Sequence, residues 1–279
     1  ERRAFGPYDR TVEAAFFDLD KTVIAKASMV AFARSFLDEG LLSRRTVARS
    51  ALEHALYQRF GASERRLERI RQAVLQVTAG WSAEEVRRIV SETLEVTVGP
   101  ILFAEAVELI EHHRRAGRLV FLVSASPEAI VRPLADYLGL DGAIASQPAV
   151  GPDGRYTGEM HFYAYGPQKA TAVMELAEER GIDLQRSYAY SDSYTDLPLL
   201  EVVGLPCAVN PDRLLAKVAA KRGWEVRRFS HPVVVASPSR IRASRWAALG
   251  VAAGALGAAA ATGIVLLGRR RLRGRPAFA

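Results

Sequence analysis

The chain has 279 residues, 49% of them apolar and 25% charged, with a single cysteine, Cys207. This length accommodates one α/β domain with an insertion and something extra, and one cysteine excludes an internal disulfide and fits a reducing compartment. The net charge of +7 belongs to one end, because ten arginines and no acidic residue follow Glu225 while the first 225 residues carry 28 Lys and Arg against 31 Asp and Glu, so nucleic acid is not an expected partner.

The first predicted element is a strand over 13–18, within Ala14-Ala15-Phe16-Phe17-Asp18-Leu19-Asp20-Lys21-Thr22. An apolar run ends there in two carboxylates one residue apart, followed by a hydroxyl. Open α/β sheets bind ligands at the carboxyl ends of their strands. Alternate strand residues point the same way, so Asp18 and Asp20 converge. One acid as nucleophile and the other as proton donor and acceptor suit phosphoryl transfer through a carboxylate. The competing reading is a paired-acid turn that only caps a strand.

Residues 28–98 then read as consecutive amphipathic helices, at 29–38, 43–60, 63–78 and 82–96. Gly40, Gly61 and Gly80 punctuate them, and Ser82-Ala83-Glu84-Glu85 opens the last as a capping box. Few strand signals interrupt this stretch, so it is expected to be a helical insert. A helix over 103–116 follows, with His112 and His113 expected at its solvated end. No Cys or His cluster has zinc-ligand spacing.

The run from Arg118 to Ser124 predicts a buried strand, with Pro127 in the first turn of a helix reaching 138. A hydroxyl and free N–H groups at a helix start suit a phosphate oxygen, although an ordinary Ser N-cap reads the same way. A short strand is expected at 143–146 and a hairpin over 149–165, around Gly151-Pro152-Asp153-Gly154. Lys169 lies just inside a helix over 169–180. A lysine there is commonly solvated, but a phosphate site needs one fixed cation. The segment from Ser187 to Pro198 reads as a strand ending at Asp192, with Asp196 four residues on, and hard oxygen ligands of this kind suit Mg²⁺. Strands at 205–209 and 224–228 complete an alternation that predicts a Rossmann-like parallel sheet with right-handed crossovers.

In this order, Asp18-x-Asp20-x-Thr22, Ser124, Lys169 and Asp192-x-x-x-Asp196 resemble the motifs of haloacid dehalogenase superfamily phosphatases. The branch resembled contains the phosphoserine phosphatases, and the likeness covers residues 12–230. The resemblance implies a core of 1–27 and 99–235 and a helical cap of 28–98 that covers the site and selects substrates. It implies that Asp18 attacks phosphorus to form an aspartyl-phosphate. Asp20 would protonate the leaving alkoxide and then activate water. Mg²⁺ would be held by Asp18, Asp192 and the Asp20 carbonyl. Ser124 and the Ala125 N–H would bind phosphate oxygens, Lys169 would bridge phosphate and Asp18, and Asp196 would orient Lys169 or the metal shell. Transport ATPases of the same ancestry carry Thr at the position of Asp20. A register with Asp20 as nucleophile fails because Val23-Ile24 replaces their Gly-Thr.

Two departures concern substrate. The phosphoserine phosphatases carry Glu seven residues beyond the second acid, where this chain has Ala27, and Ser-Gly-Gly where it has Ser124-Ala125-Ser126. Both argue against phosphoserine and leave the phosphatase chemistry untouched. Within the tail 236–279, residues 246–268 are uncharged and rich in Ala, Gly and Leu, long enough to cross a bilayer core of ~30 Å as a helix. Trp246 would sit at an interface and Gly250-x-x-x-Gly254 would allow close packing. The alternative is a buried soluble helix. The expectation is a single-pass C-terminal anchor and a cytoplasmic catalytic domain, although the five arginines from Arg269 to Arg275 leave orientation open and the chain starts without Met. The expected substrate is a small phosphorylated metabolite or a lipid head group. A phosphotransferase using the same intermediate, and a non-catalytic membrane regulator, are the rival classes. Oligomeric state is not readable.

Overall fold

The computed structural model describes residues 12–43 and 64–231. The expected helix 43–60 lies outside the described residues save for Ser43, and the tail 236–279 with its apolar stretch 246–268 lies wholly outside them. None of the described helices is long and apolar enough to cross a membrane.

The strands are β1 (Ala14–Phe17), β2 (Leu119–Pro127), β3 (Gly142–Val150), β4 (Tyr156–Phe162), β5 (Tyr188–Ser191), β6 (Leu205–Val209) and β7 (Glu225–Arg227). The helices are α1 (Ser28–Asp38), α2 (Glu64–Thr78), α3 (Ala83–Val98), α4 (Ala104–Arg115), α5 (Glu128–Leu138), α6 (Pro167–Arg180), α7 (Leu197–Glu201) and α8 (Arg213–Arg222). They form a seven-stranded sheet of order β4-β3-β2-β1-β5-β6-β7. β1 is central: Phe17 pairs in parallel with Leu122 of β2 and Tyr190 of β5. The chain leaves β1 to build one half of the sheet and returns to its other side for β5, which makes the end of β1 the switch point.

All four β1 residues are buried, as befits a parallel strand covered on both faces. Alternation sorts the side chains. Ala15, Phe17, Val120, Leu122, Tyr190 and Cys207 join the core shared with α1, α3, α4 and α5. Ala14, Phe16, Phe121, Val123, Ala189 and Ala208 join a second core with α6, α7 and α8. This is an α/β three-layer fold, as the alternating pattern predicts.

The structure corrects four local expectations. β1 ends at Phe17, so Asp18 and Asp20 stand in the turn beyond it, not on the strand. β2 extends through Pro127, which caps α5 from extended backbone (ψ 142°) instead of entering its first turn. The short strand at 143–146 and the hairpin are one unit: β3 leaves the parallel sheet and pairs antiparallel with β4 at the edge. Pro148 is tolerated there because an edge strand can spare an N–H.

The fourth correction is His113, which is 1% exposed, whereas His112 is exposed as expected. Ala106, Leu109, Ile110 and His113 share the buried stripe of α4, a three-four spacing that holds whatever the residue type. His113 Nε2 lies 2.8 Å from the Tyr190 hydroxyl, and Tyr190 stacks on Phe17 at 4.4 Å. Burial lowers its pKa to about 4, so it is neutral near pH 7.

The helices after β1 begin at once with α1. Ser82 caps α3 by accepting the Glu85 N–H at 3.2 Å, one half of the expected capping box. The turn between α2 and α3 is stitched to the β3–β4 hairpin: Gly80 N–H donates to the Tyr156 carbonyl at 2.8 Å and Arg155 Nη1 to the Gly80 carbonyl at 2.7 Å. Gly158, at φ +87°, lets the hairpin approach α2 where a Cβ would meet that of Ala79 at 3.3 Å.

Candidate active site

The site is built where β1, β2 and β5 end. After β1 the chain folds over sharply: the Leu19 carbonyl accepts from Val23 N–H at 2.9 Å and Ile24 N–H at 3.0 Å, and Lys21 takes φ 63°. Asp20 is placed by this turn and not by the strand alternation expected. Asp18 N–H donates to the Tyr190 carbonyl at 2.9 Å, which fixes the end of β1 beside that of β5.

Lys169, on the first turn of α6, is 3% exposed and donates to Asp18 Oδ1 and Asp196 Oδ2, both at 2.7 Å. Asp196 also accepts from the Ser191 hydroxyl at 2.7 Å. Gly166 precedes the helix at φ 55°, a conformation that suits glycine and turns the chain from the hairpin into α6. Asp192 follows β5 and is 9% exposed; no hydrogen-bond donor among the described residues meets its carboxylate. Its main chain is pinned by Asp212, whose N–H donates to the Asp192 carbonyl at 2.7 Å while its carboxylate caps α8.

Asp20 sits differently. Its Oδ1 accepts from the Ser28 N–H at 2.8 Å and its Oδ2 from the Ser126 hydroxyl at 3.3 Å. Ser124, 2% exposed, accepts the Ser126 N–H on its Oγ at 3.1 Å. Ala125 is half-buried, its carbonyl held by the Ser146 hydroxyl at 2.7 Å, and the β2–β3 register shifts between Ser124 and Pro127. The structure thus gathers Asp18, Lys169 and Asp196 in direct contact, with Asp192 beside Asp18. Asp20 stands close enough to feel the charge of Lys169.

Three contributors escaped sequence reading: Ser28, Ser126 and Ser191. Ser191 precedes Asp192 at the end of a strand, and Ser126 lies two residues from Ser124; nothing in their type separates them from ordinary loop serines.

The electrostatics are lopsided. Two carboxylates contact one buried ammonium, and two more, Asp20 and Asp192, feel its charge. Burial, then the Asp196 and Asp192 charges, push the Asp18 carboxyl up, against the opposing pull of Lys169. Burial raises Asp192 to about 7 despite Lys21. Asp20 is also raised by burial, with the Ser28 and Ser126 hydrogen bonds pulling it down. Burial alone would depress Lys169, but Asp18 and Asp196 overcome it and leave the ammonium firmly charged. Buried anions in excess of cations call for protons or a metal. Among the described residues no three His, Cys, Asp or Glu side chains gather as a cage. Carboxylate oxygens of this kind suit Mg²⁺ rather than zinc.

A family model of haloacid dehalogenase-like hydrolases matches residues 15–201. The chain belongs to this family. The hydrolase is 48% identical over 261 residues to the "Inhibition of morphological differentiation protein" of Streptomyces azureus, covering 92% of this chain and 94% of that one. It is 35% identical over 256 residues to a phosphoserine phosphatase of Mycobacterium tuberculosis, covering 91% of this chain and 82% of the relative. A crystal structure of a Bordetella pertussis Tohama I protein of unknown function superposes with a TM-score of 0.67 at 31% identity, over 78% of this chain and 98% of that one. Within the family the chain is an enzyme of the phosphatase kind.

Proposed function

We propose that this hydrolase is a Mg²⁺-dependent phosphomonoesterase that forms an aspartyl-phosphate on Asp18. One observation carries the reading: Lys169 holds Asp18 Oδ1 and Asp196 Oδ2 at 2.7 Å each, at the end of the central strand. With Oδ1 so engaged, Oδ2 is the oxygen left to attack phosphorus. A bond forms from Oδ2 to phosphorus as the phosphorus–alcohol bond breaks. Asp20 gives a proton to the departing alkoxide, and its carboxylate then takes one from the water that releases phosphate. Lys169 offsets charge on the transferring oxygens, and Asp196 keeps it aimed. The Ser124 Oγ already accepts the Ser126 N–H, so its own hydroxyl proton is available to a phosphate oxygen, beside the Ala125 N–H. Bound through Asp18, Asp192 and the Asp20 carbonyl, Mg²⁺ would supply positive charge against the phosphoryl group.

On this reading the helices of 28–98 act as the cap over a core of 1–27 and 99–235. The substrate is a small phosphomonoester other than phosphoserine, because Ala27 offers no carboxylate to a substrate ammonium. A lipid-related head group belongs to the same class if the stretch 246–268 anchors the enzyme, a reading that rests on sequence. Initial rates on a panel of soluble and lipid phosphomonoesters, with Mg²⁺ or EDTA, with and without micelles, test this. Turnover confined to Mg²⁺ and weakest on phosphoserine is expected. Phosphoserine outperforming every other ester would overturn the substrate class, and full activity in EDTA would overturn the metal. An added acceptor alcohol that becomes phosphorylated would reassign the enzyme as a phosphotransferase.

A further inference from the structure

Asp20 is held by a main-chain N–H and a hydroxyl, with no cation in contact with it among the described residues. Its two oxygens are not equivalent. Oδ1 faces the main-chain N–H of Ser28, which can only donate, so Oδ1 must remain an acceptor. Oδ2 faces the Ser126 hydroxyl, which can donate or accept. A proton on Oδ2 leaves both contacts in place, because the Ser126 hydroxyl can turn to accept it while Oδ1 keeps the Ser28 N–H. The Ser126 hydroxyl is in turn held by the Ser28 hydroxyl at 2.7 Å, a buried contact between residues 98 apart in sequence. Both serines are buried, Ser28 at 0% and Ser126 at 7% exposure. Ser126 is also tied through its N–H to Ser124. One residue thus touches the Asp20 carboxylate, the start of α1 and the hydroxyl assigned to phosphate.

We propose that Ser126 is a positioning residue that fixes the proton-bearing oxygen of Asp20, with Ser28 holding Ser126 in place. The proposal rests on the acid–base role given to Asp20 above. With Ser126 donating to Oδ2, the Ser28 hydroxyl donates to Ser126, and the chain of donors ends on the carboxylate. Removing the Ser126 hydroxyl frees Oδ2 to rotate away while Oδ1 keeps its main-chain partner. The loss falls on proton delivery to the leaving group, and so on alcohols that leave poorly without a proton.

The test compares kcat/KM for an alkyl phosphate and for p-nitrophenyl phosphate, since this parameter covers steps only as far as alcohol release. Ser126→Ala is expected to lower the alkyl value about tenfold and the aryl value no more than about twofold, a selective loss smaller than the ~10²–10⁴-fold of a whole general acid, as befits a residue that only positions it. Ser126→Thr, which keeps the hydroxyl, restores the alkyl-to-aryl ratio to within about threefold of the parent. Ser28→Ala, which keeps the N–H to Oδ1, lowers the ratio about threefold and serves if Ser126→Ala does not fold. Equal losses on both substrates, or none, in the folded serine variants would overturn the role of Ser126. Asp20→Asn separates the two levels: if it keeps full alkyl activity the acid–base reading itself fails, and if it abolishes that activity while Ser126→Ala is unselective, only the present inference fails.

Discussion

The two acids of Asp18-Leu19-Asp20 are one residue apart and held by opposite means. Asp18 is pinned by a charge, the Lys169 ammonium, and shares it with Asp196. Asp20 is held by neutral donors, the Ser28 N–H and the Ser126 hydroxyl. On the proposed mechanism the difference follows from what each must do. A nucleophile has to be oriented, and Lys169 holds Asp18 Oδ1 while opposing the rise that burial imposes on its carboxyl. A group that gives and takes a proton in each cycle has to visit both states, and a fixed ammonium in contact would trap it as the anion.

Breaking the charged half should do the most damage. Asp18→Asn is expected to lower kcat by at least about 10⁴-fold, because the attacking oxygen is lost, as steady-state rates on an alkyl phosphate will show. Lys169→Met leaves Asp18 and Asp196 buried without their cation. It should cost about 3–5 kcal/mol in urea unfolding and about 10²–10³-fold in kcat, and a variant as stable as the parent would contradict the pairing.

Asp192 sharpens the comparison, since it belongs to the charged half yet meets no donor among the described residues. Its pKa is raised from 3.8 to about 7, so the metal-free protein binds a proton that the unfolded chain does not between these values. That contribution is present below pH 4 and is lost as pH rises through 7. Asp192→Asn should therefore stabilise the metal-free protein at pH 8 by about 2 kcal/mol while removing most of the rise in Tm caused by Mg²⁺. An unchanged Mg²⁺ response would place the ion elsewhere.

The last effect concerns His113, which touches none of the site acids. His113 is depressed to about 4 from 6.5. Its neutral form is favoured in the folded state, so stability is complete above pH 6.5 and declines as pH falls through 4. Urea unfolding should show about 2 kcal/mol lost across that window, and His113→Phe should flatten it. An identical acid limb in the variant would mean that the ring is not held neutral by its surroundings.

These contrasts also mark what the sequence could reveal. The apolar runs before Asp18, Ser124 and Asp192 predicted β2, β5 and the central β1 because a strand buried on both faces needs an unbroken apolar run. Asp18 and Lys169 were legible as types, though their 2.7 Å contact spans 151 positions and only the fold creates it. Asp20 reaches the site through the turn at Lys21, not through strand alternation. The antiparallel edge of β4 was hidden because a hairpin pattern does not say which sheet it joins. His113 obeyed helical spacing, but an imidazole reads as polar until its burial beside Tyr190 is seen. Ser126 carried no distinguishing signal, since a serine near a helix start is ordinarily a cap.

The most direct test is to quench the enzyme in acid during turnover of a phosphomonoester with Mg²⁺ and map the phosphoryl group by peptide mass. A phosphoryl group on the Asp18 peptide, absent in Asp18→Asn and accumulating when Asp20 is changed to Asn with an aryl substrate, is the predicted result. Continued turnover in Asp18→Asn, or label fixed to another side chain, would contradict the account.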